Sequence, residues 1–214
     1  MKKNYSYISR IGLAVMLFIT SLTVSAQSAM SVLDRAAKTF TSAGGIRANF
    51  TFHNYSSGKN SGGASGTIYI SGNKYKVVVP QMTTWFNGKT QWAYVKANNE
   101  VNVSNPSASE QLNPYTFVHL YKSGYKAAFG KTTKSAGRPV YEIHLTATGR
   151  KPISEAWLTI DRETYVPLCI RVRQNSRNWM AIYLRGFKTR QNYNASFFQF
   201  NPKHYPKAEV IDLR

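Results

Sequence analysis

The sequence offers few side chains whose types and spacing could support catalysis. Its four histidines are His53, His119, His144 and His204. None of them lies in a recognisable nucleophile or metal-binding motif. Asp161 and Glu163 could form a carboxylate pair for glycoside hydrolysis, but the segment Asp161–Thr164 has the composition of a hairpin turn. We therefore predict that the protein is not an enzyme.

Two further features argue against cofactor and metal chemistry. Gly124–Thr132 resembles a phosphate-binding loop, but its two glycines are one residue too far apart and no parallel strand is predicted before it. Cys169 is the single cysteine, so neither an intramolecular disulfide nor a Cys/His zinc site can form. We interpret Cys169 as a small apolar residue on a strand. The sequence predicts no metal and no cofactor.

Residues 1–26 have the features of a cleaved secretory signal peptide. Three basic residues come first, then the uncharged run Ile11–Val24, and Val24-Ser25-Ala26 has the small-x-small form of a cleavage site. The run is shorter than the roughly 20 apolar residues that a membrane span requires. We predict that residues 27–214 form a single exported domain that is soluble after cleavage.

Hydrophobic periodicity in the mature chain predicts a mainly β domain with two helices. Apolar residues recur at helical spacing after Ser31, which we interpret as the first helix cap, and a second helix is predicted to begin at Asn113-Pro114. The Gly/Ser-rich stretch Ser56–Gly66 is predicted to be a hairpin loop, and the domain is predicted to end in a tail, Phe197–Arg214.

About ten alternating segments predict one strongly curved antiparallel sheet. We expect an unclosed half-barrel, covered by the N-terminal helix and by the central helix as a lid. A sheet of this size with two covering helices tends to leave a ligand-sized space. An ordinary packed core is the alternative interpretation of the same alternation.

The inward-facing apolar and aromatic residues are the candidate cavity lining. They are Phe50, Phe52, Tyr75, Val77, Val79, Trp92, Tyr94, Leu158 and Ile160. The candidate lid residues on the central helix are Phe117, Leu120 and Tyr121.

Charge is strongly unbalanced, with 28 Lys and Arg against 9 Asp and Glu and a formal net charge of +19. Arg171 and Arg173 alternate with Ile170 and Val172, so the two arginines are predicted to lie on the outer face of the sheet. Nucleic acid could use such a stripe, but the predicted export disfavours it. We expect these arginines to dock onto an anionic membrane surface or an acidic partner, at about 1 kcal/mol per well-placed cation.

Several segments together resemble one protein family. Gly66–Ile70 is a glycine-led strand, Tyr75–Pro80 is an aromatic-led strand that ends in proline, and Asn87–Tyr94 has the form [Asp/Asn]-Gly-Lys-x-x-Trp-x-Tyr. Asn113-Pro114 opens the middle helix, and Phe198–Pro202 has a closing Phe-x-Phe-x-Pro pattern. In this order the segments resemble the LolA-type periplasmic carriers of outer-membrane lipoproteins.

The resemblance implies a monomeric carrier whose apolar interior holds the acyl chains of lipoproteins or other lipids. It also implies loading by an inner-membrane lipoprotein-release transporter and delivery to an outer-membrane acceptor, either a protein or an anionic surface. Family members often carry an arginine before the turn between the two early strands, whereas Ser71-Gly72-Asn73 contains none.

Two alternative functions remain open at this stage. A lipid-binding sensor or regulator on the same half-barrel would hold a ligand without releasing it to a membrane. A secreted enzyme that acts on an anionic polymer would also explain the positive charge.

Overall fold

The structure is a computed structural model that describes residues 27–42, 44–106, 114–173 and 177–214. The predicted signal peptide, residues 1–26, and the predicted cap Asn113 lie outside the described residues. No described helix is long and apolar enough to cross a membrane.

Two helices form, as the periodicity predicts. Helix α1 spans Ala29–Ser42 and buries an apolar stripe that includes Leu33 and Phe40. The prediction that Ser31 caps this helix is wrong, because the cap is Ser28, whose hydroxyl accepts a hydrogen bond from the Ser31 amide at 3.1 Å.

Helix α2 is short, spans Pro114–His119 and continues as one 3₁₀ turn, Leu120–Ser123. It ends at Gly124, where φ is +82°. A residue without a side chain adopts this left-handed conformation most readily, so the chain can leave the helix and enter the next strand.

Among the described residues, thirteen strands form one large curved sheet. The strands are β1 Gly45–Ser56, β2 Lys59–Ser71, β3 Lys74–Val79, β4 Met82–Phe86, β5 Gln91–Val95, β6 Glu100–Ser104, β7 Tyr125–Phe129, β8 Lys134–Ser135, β9 Arg138–Ala147, β10 Glu155–Asp161, β11 Pro167–Arg173, β12 Asn178–Gln191 and β13 Glu209–Asp212. Their order is β13-β6-β5-β4-β3-β2-β1-β12-β11-β10-β9-β7, and β8 pairs with β9. The mainly β, unclosed half-barrel architecture is confirmed.

The Gly/Ser-rich stretch Ser56–Gly66 is not a loop, so that prediction is wrong. The turn consists of Ser57-Gly58, both with positive φ, and β2 begins at Lys59. Register with β1 is continuous across most of this length, including the pairs Phe52 with Ala64 and Phe50 with Gly66. The backbone ladder on a longer partner strand thus imposes extended structure on residues with low intrinsic strand propensity.

The tail Phe197–Arg214 contains several short elements. Two 3₁₀ turns, Ala195–Phe198 and Pro202–His204, precede the short strand β13. Strand β13 pairs with β6 in parallel, whereas the other described strand pairs are antiparallel. The tail therefore returns to the sheet at one edge.

The two faces of the sheet have different surroundings. One face, here called the concave face, includes Ile46 and Ile70, which pair across β1 and β2 and join the hydrophobic core with α1 and α2. The opposite, convex face includes Trp85, which packs against Phe200 and Tyr205 of the C-terminal segment. The C-terminal segment thus covers part of the convex face.

Candidate functional site

The concave face carries an apolar cavity of about 240 Å³. Its lining comes from strands β1, β2, β3, β4 and β12, and each described lining side chain is apolar. The lining residues are Phe50, Phe52, Ala64, Ile68, Val77, Val79, Met82, Met180, Ile182 and Leu184. Such a surface can bind a hydrocarbon and offers no side-chain hydrogen bond that would fix a polar ligand.

The cavity exists because large side chains on β1 face small residues on β2. Phe50 and Phe52 both line the cavity, and Phe52 pairs with Ala64, whose small side chain leaves space beside the Phe52 ring. The rings themselves stack, with centroids 6.5 Å apart and an interplanar angle of 17°. The lining residues Phe50, Phe52, Val77 and Met180 are only partly buried, so an apolar ligand could replace water beside them.

Seven of the nine predicted lining residues lie on the concave face, and four of these reach the cavity. Phe50, Phe52, Val77 and Val79 line it. The other three on this face, Tyr75, Leu158 and Ile160, belong to the solid part of the core.

Tyr75 illustrates how the solid core excludes ligand. Its ring stacks on Phe86 with centroids 5.0 Å apart, and its hydroxyl donates a hydrogen bond to Gln91 Oε1 at 2.7 Å. Burial raises the pKa of Tyr75 to about 12. This side chain is already surrounded by protein groups, which explains why it does not line the cavity.

The prediction that Trp92 and Tyr94 line the cavity is wrong. The β4–β5 register pairs Trp92 with Trp85 on the convex face, so the concave positions of β5 belong to Gln91, Ala93 and Val95. The Tyr94 ring contacts the Tyr205 ring at a centroid distance of 4.5 Å, with the two planes tilted by 52°. Both aromatic residues alternate as a strand requires, but they lie on the convex face, where Tyr94 contacts the C-terminal segment.

The candidate lid residues do not line the described cavity. Phe117 is fully buried in the core, and Leu120 packs against that core while partly exposed. The Tyr121 hydroxyl donates a hydrogen bond to Asp34 Oδ1 of α1. Burial, together with this hydrogen bond and the Asp34 charge, raises the pKa of Tyr121. Helix α2 is therefore tied to α1.

The prediction from the sequence missed the contribution of β12 and β4 to the cavity. Met180, Ile182 and Leu184 alternate along β12, and Met82 opens β4. The alternation of these three apolar residues along β12 is visible in the sequence and could have indicated that they share one face. In the structure, Ile182 and Leu184 pair directly with Phe52 and Phe50. The two methionines add flexible, polarizable side chains to the lining.

Arg171 and Arg173 lie on the convex face, opposite the buried Ile170 and Val172, as the alternation predicts. Each arginine lies near a carboxylate and over a tryptophan ring. Arg171 Nη2 is 3.5 Å from Glu142 Oε1, and Arg173 Nε is 2.8 Å from Glu155 Oε1. The two side chains are 46% and 37% exposed, so these ion pairs remain accessible to solvent.

Asp161 and Cys169 have side chains of types that can take part in catalysis, but their environments favour structural roles. Asp161 Oδ1 accepts hydrogen bonds from the Glu163 and Thr164 amides at 3.0 and 2.9 Å, so this carboxylate closes the turn. Burial raises the pKa of the Cys169 thiol to about 11, which disfavours the reactive thiolate. Within residues 27–42, 44–106, 114–173 and 177–214, no group of three or more His, Cys, Asp or Glu could hold a metal ion.

The fold is an open half-barrel whose concave face carries an apolar cavity, the kind of site that binds apolar ligands. The family described as outer membrane lipoprotein carrier protein LolA matches residues 19–176, and the chain belongs to this family. No curated protein matches the sequence.

The chain is similar to several solved structures at low sequence identity. An uncharacterized conserved protein from Thermus thermophilus is 14% identical with a TM-score of 0.59, covering 86% of this chain and 98% of that chain. A LolA superfamily protein from Nitrosomonas europaea is 11% identical with a TM-score of 0.46, covering 81% and 98%. Lipoprotein LppX from Mycobacterium tuberculosis is 12% identical with a TM-score of 0.45, covering 78% and 97%. The first likeness shows the fold alone.

Proposed function

We propose that the protein is a non-enzymatic periplasmic carrier that binds an acyl chain of a lipoprotein, or of another lipid, in the concave cavity. The observation that carries this proposal is the uniformly apolar lining by ten side chains from five strands. Membership of the lipoprotein carrier family supports the same ligand class and a periplasmic location. The predicted signal peptide, residues 1–26, agrees with export.

The free energy of hydrocarbon transfer makes such a carrier useful. Each methylene removed from water contributes about 0.8 kcal/mol, so a long acyl chain crosses an aqueous compartment unassisted at a negligible rate. Binding requires an apolar surface and no nucleophile or metal. The cavity supplies that surface.

The cavity volume sets a condition on loading. At about 240 Å³ the cavity is smaller than the roughly 300–1,000 Å³ typical of sites that enclose a drug-sized ligand. We infer that it accepts part of one chain as it stands and enlarges when more hydrocarbon enters. Met82 and Met180 can change rotamer at the lining at little cost, since methionine is unbranched and flexible.

The carrier role also includes transfer between membranes. We propose loading from an inner-membrane lipoprotein-release transporter and unloading at an outer-membrane acceptor, with the Arg171 and Arg173 surface as the docking face. Because both arginines already face carboxylates, this surface offers less free positive charge than the sequence alone indicates.

The proposal is tested first by identifying what the protein carries. Protein purified from its native periplasm should yield acyl-chain lipids or lipoprotein in organic extracts analysed by mass spectrometry. A variant that fills the cavity provides the matched comparison. Ala64→Leu adds hydrocarbon beside Phe52, so the extract of this variant should contain at least tenfold less lipid while the fold is retained.

A transfer assay separates the carrier from the lipid-binding sensor. Wild-type protein loaded with a fluorescent acyl lipid should deliver it to acceptor vesicles faster than the lipid moves alone. Retention of the lipid with no delivery would favour the sensor, and extracts without lipid from the wild type would contradict both functions.

A further inference from the structure

A second pocket lies on the convex face, on the other side of the sheet from the apolar cavity. It has a volume of about 500 Å³ and lies between β3, β4 and the C-terminal segment 194–205. Its walls combine aromatic rings, including Trp85, Phe200 and Tyr205, with polar groups such as Gln199. This mixed lining does not suit an acyl chain, so the pocket requires a different ligand.

Lys76 is the one lysine or arginine among the described residues that line this pocket, which His204 also lines. Its Nζ lies 4.6 Å from the centroid of the Phe197 ring and 5.5 Å from that of Trp85. Partial burial lowers the pKa of Lys76 from its ordinary value, because the charged ammonium loses water. None of the ion pairs among the described residues includes Lys76, and no described Asp or Glu lines the pocket.

We propose that this convex pocket binds a small polar molecule that carries a carboxylate or phosphate group, such as an acidic sugar. An anion would replace the hydration that the Lys76 ammonium has lost, and pairing is stronger in a partly desolvated site than in bulk water. The faces of Phe200 and Tyr205 provide surfaces for a ring, while side chains such as Gln199 can hydrogen bond to hydroxyl groups.

The pocket is independent of the proposed lipid cavity. Lys76 and Val77 are consecutive on β3, and Val77 lines the cavity while Lys76 lines the pocket. The sheet separates the two ligands, so acyl chains in the cavity do not compete directly for Lys76. If the cavity binds no lipid, the proposal for the convex pocket still stands. If the convex pocket binds no anion, the proposal of a lipid carrier still stands.

Isothermal titration calorimetry with soluble probes tests the pocket. Wild-type protein should bind glucuronate or glucose 6-phosphate and should bind uncharged glucose at least tenfold more weakly. Lys76→Met keeps the apolar stem and removes the charge, so it should weaken binding of the anionic sugar at least tenfold. Lys76→Arg should retain binding, and thermal unfolding should verify that both variants fold.

Lys74→Met is the matched control, since Lys74 lies two residues earlier on the same face of β3 and does not line the pocket. This variant should bind like the wild type.

Vesicles that contain phosphatidylglycerol form a separate arm of the experiment, because a lipid headgroup can also supply the phosphate. Binding of vesicles alone, lost in Lys76→Met, would assign the anion to a headgroup. Equal binding by wild type and Lys76→Met, or preference for no anionic probe, would overturn the proposal.

Discussion

Phe50 on β1 faces Gly66 on β2, and a Cβ atom at position 66 would lie 3.1 Å from Phe50 Cε1. The same atom would lie 2.2 Å from the carbonyl oxygen of Val78 and 2.9 Å from Val79 Cγ1. The first of these distances to β3 is shorter than any normal contact and involves backbone, which cannot rotate away. The glycine therefore allows β2 and β3 to approach beside the cavity.

Gly66→Ala should lower the free energy of unfolding by about 1–3 kcal/mol, the usual cost of forcing extra atoms into a packed site. Urea denaturation measures this value. Gly149→Ala is the control, because a Cβ atom at Gly149 would meet nothing within 4 Å and should change stability by less than about 0.5 kcal/mol. Equal effects of the two variants would show that the close approach at Gly66 is not tight.

Val77→Glu should abolish binding of a fluorescent fatty acid while lowering stability much less. A carboxylate at the apolar lining costs several kcal/mol when a hydrocarbon covers it, but it can stay hydrated in the empty cavity. Val78→Glu is the matched control, because Val78 is the next residue of β3, is also half-buried and does not line the cavity. If Val77→Glu loses folding and binding together, the site is solid core and the interpretation as a cavity is wrong.

Much of this site follows from the sequence because strand alternation is strict. Val77 and Val79 fall on one face of β3 wherever that strand lies, and the period-two pattern on β1 places Phe50 and Phe52 together. Alternation does not say which face is concave. On β5 both faces carry residues that could be buried, and the covering group for Tyr94 is Tyr205, more than a hundred residues later.

The Gly/Ser-rich half of β2 could not be predicted for a different reason. The composition of Lys59–Gly66 is typical of a loop, and its extended conformation comes from hydrogen bonding to β1. That pairing depends on the length of β1, whose end at Ser56 is set by the Ser57-Gly58 turn. Tertiary pairing thus overrides local preference at the strand that makes the cavity possible.

Tyr121→Phe should speed the release of bound fatty acid, because it removes the hydrogen bond that ties α2 to Asp34 of α1. We expect a loss of about 1 kcal/mol of stability, typical of one hydrogen bond. Stopped-flow fluorescence measures the release rate. Tyr125→Phe is the control, since it removes a hydrogen bond to the Ile153 carbonyl and leaves the contact between the helices in place.

Equal release rates for the two tyrosine variants would contradict the predicted role of α2 as a lid. Leu120→Ala offers a second test at a partly exposed position of the same segment. Phe117→Ala is less informative, because Phe117 is fully buried and its truncation should cost about 3–5 kcal/mol of stability.

Asp161 should contribute to the acid sensitivity of the fold. Burial raises the pKa of Asp161, but hydrogen bonds from Thr164 and Glu163, with the charge of Arg138, outweigh it and leave the pKa below its usual value. Stability from a carboxyl with a depressed pKa is present above the unfolded value of about 3.9 and is lost as pH falls through the folded value.

Asp161→Asn keeps an acceptor oxygen in the turn and removes the titration. Its free energy of unfolding should therefore fall less steeply than that of the wild type as the pH drops below about 4, in denaturation series at several pH values. Glu163→Gln changes an exposed carboxylate of the same turn and serves as the comparison. An acid limb identical to that of the wild type in Asp161→Asn would contradict this role.

The proposed docking face allows predictions of opposite sign. Reversing Arg171 and Arg173 to Glu should weaken binding to anionic vesicles, whereas Glu142→Gln with Glu155→Gln should strengthen it, because the arginines lose the carboxylates beside them. Both differences in vesicle binding, relative to the wild type, should become smaller at high salt, since exposed charges are screened over about 8–10 Å. Vesicle co-sedimentation at several salt concentrations measures the binding.

Arg185→Glu with Lys188→Glu provides the matched control for that double reversal, because both residues are exposed cations on β12. If this pair abolishes vesicle binding and the Arg171 and Arg173 pair does not, docking lies elsewhere on the protein.

Reversal of Arg171 and Arg173 also creates like-charge contacts with Glu142 and Glu155, so some stability should be lost. Fatty-acid occupancy of the cavity should stay nearly normal, because these arginines lie on the convex face and the cavity lies on the concave one. A reversal that empties the cavity while vesicle binding persists would show that this surface supports the cavity and does not dock.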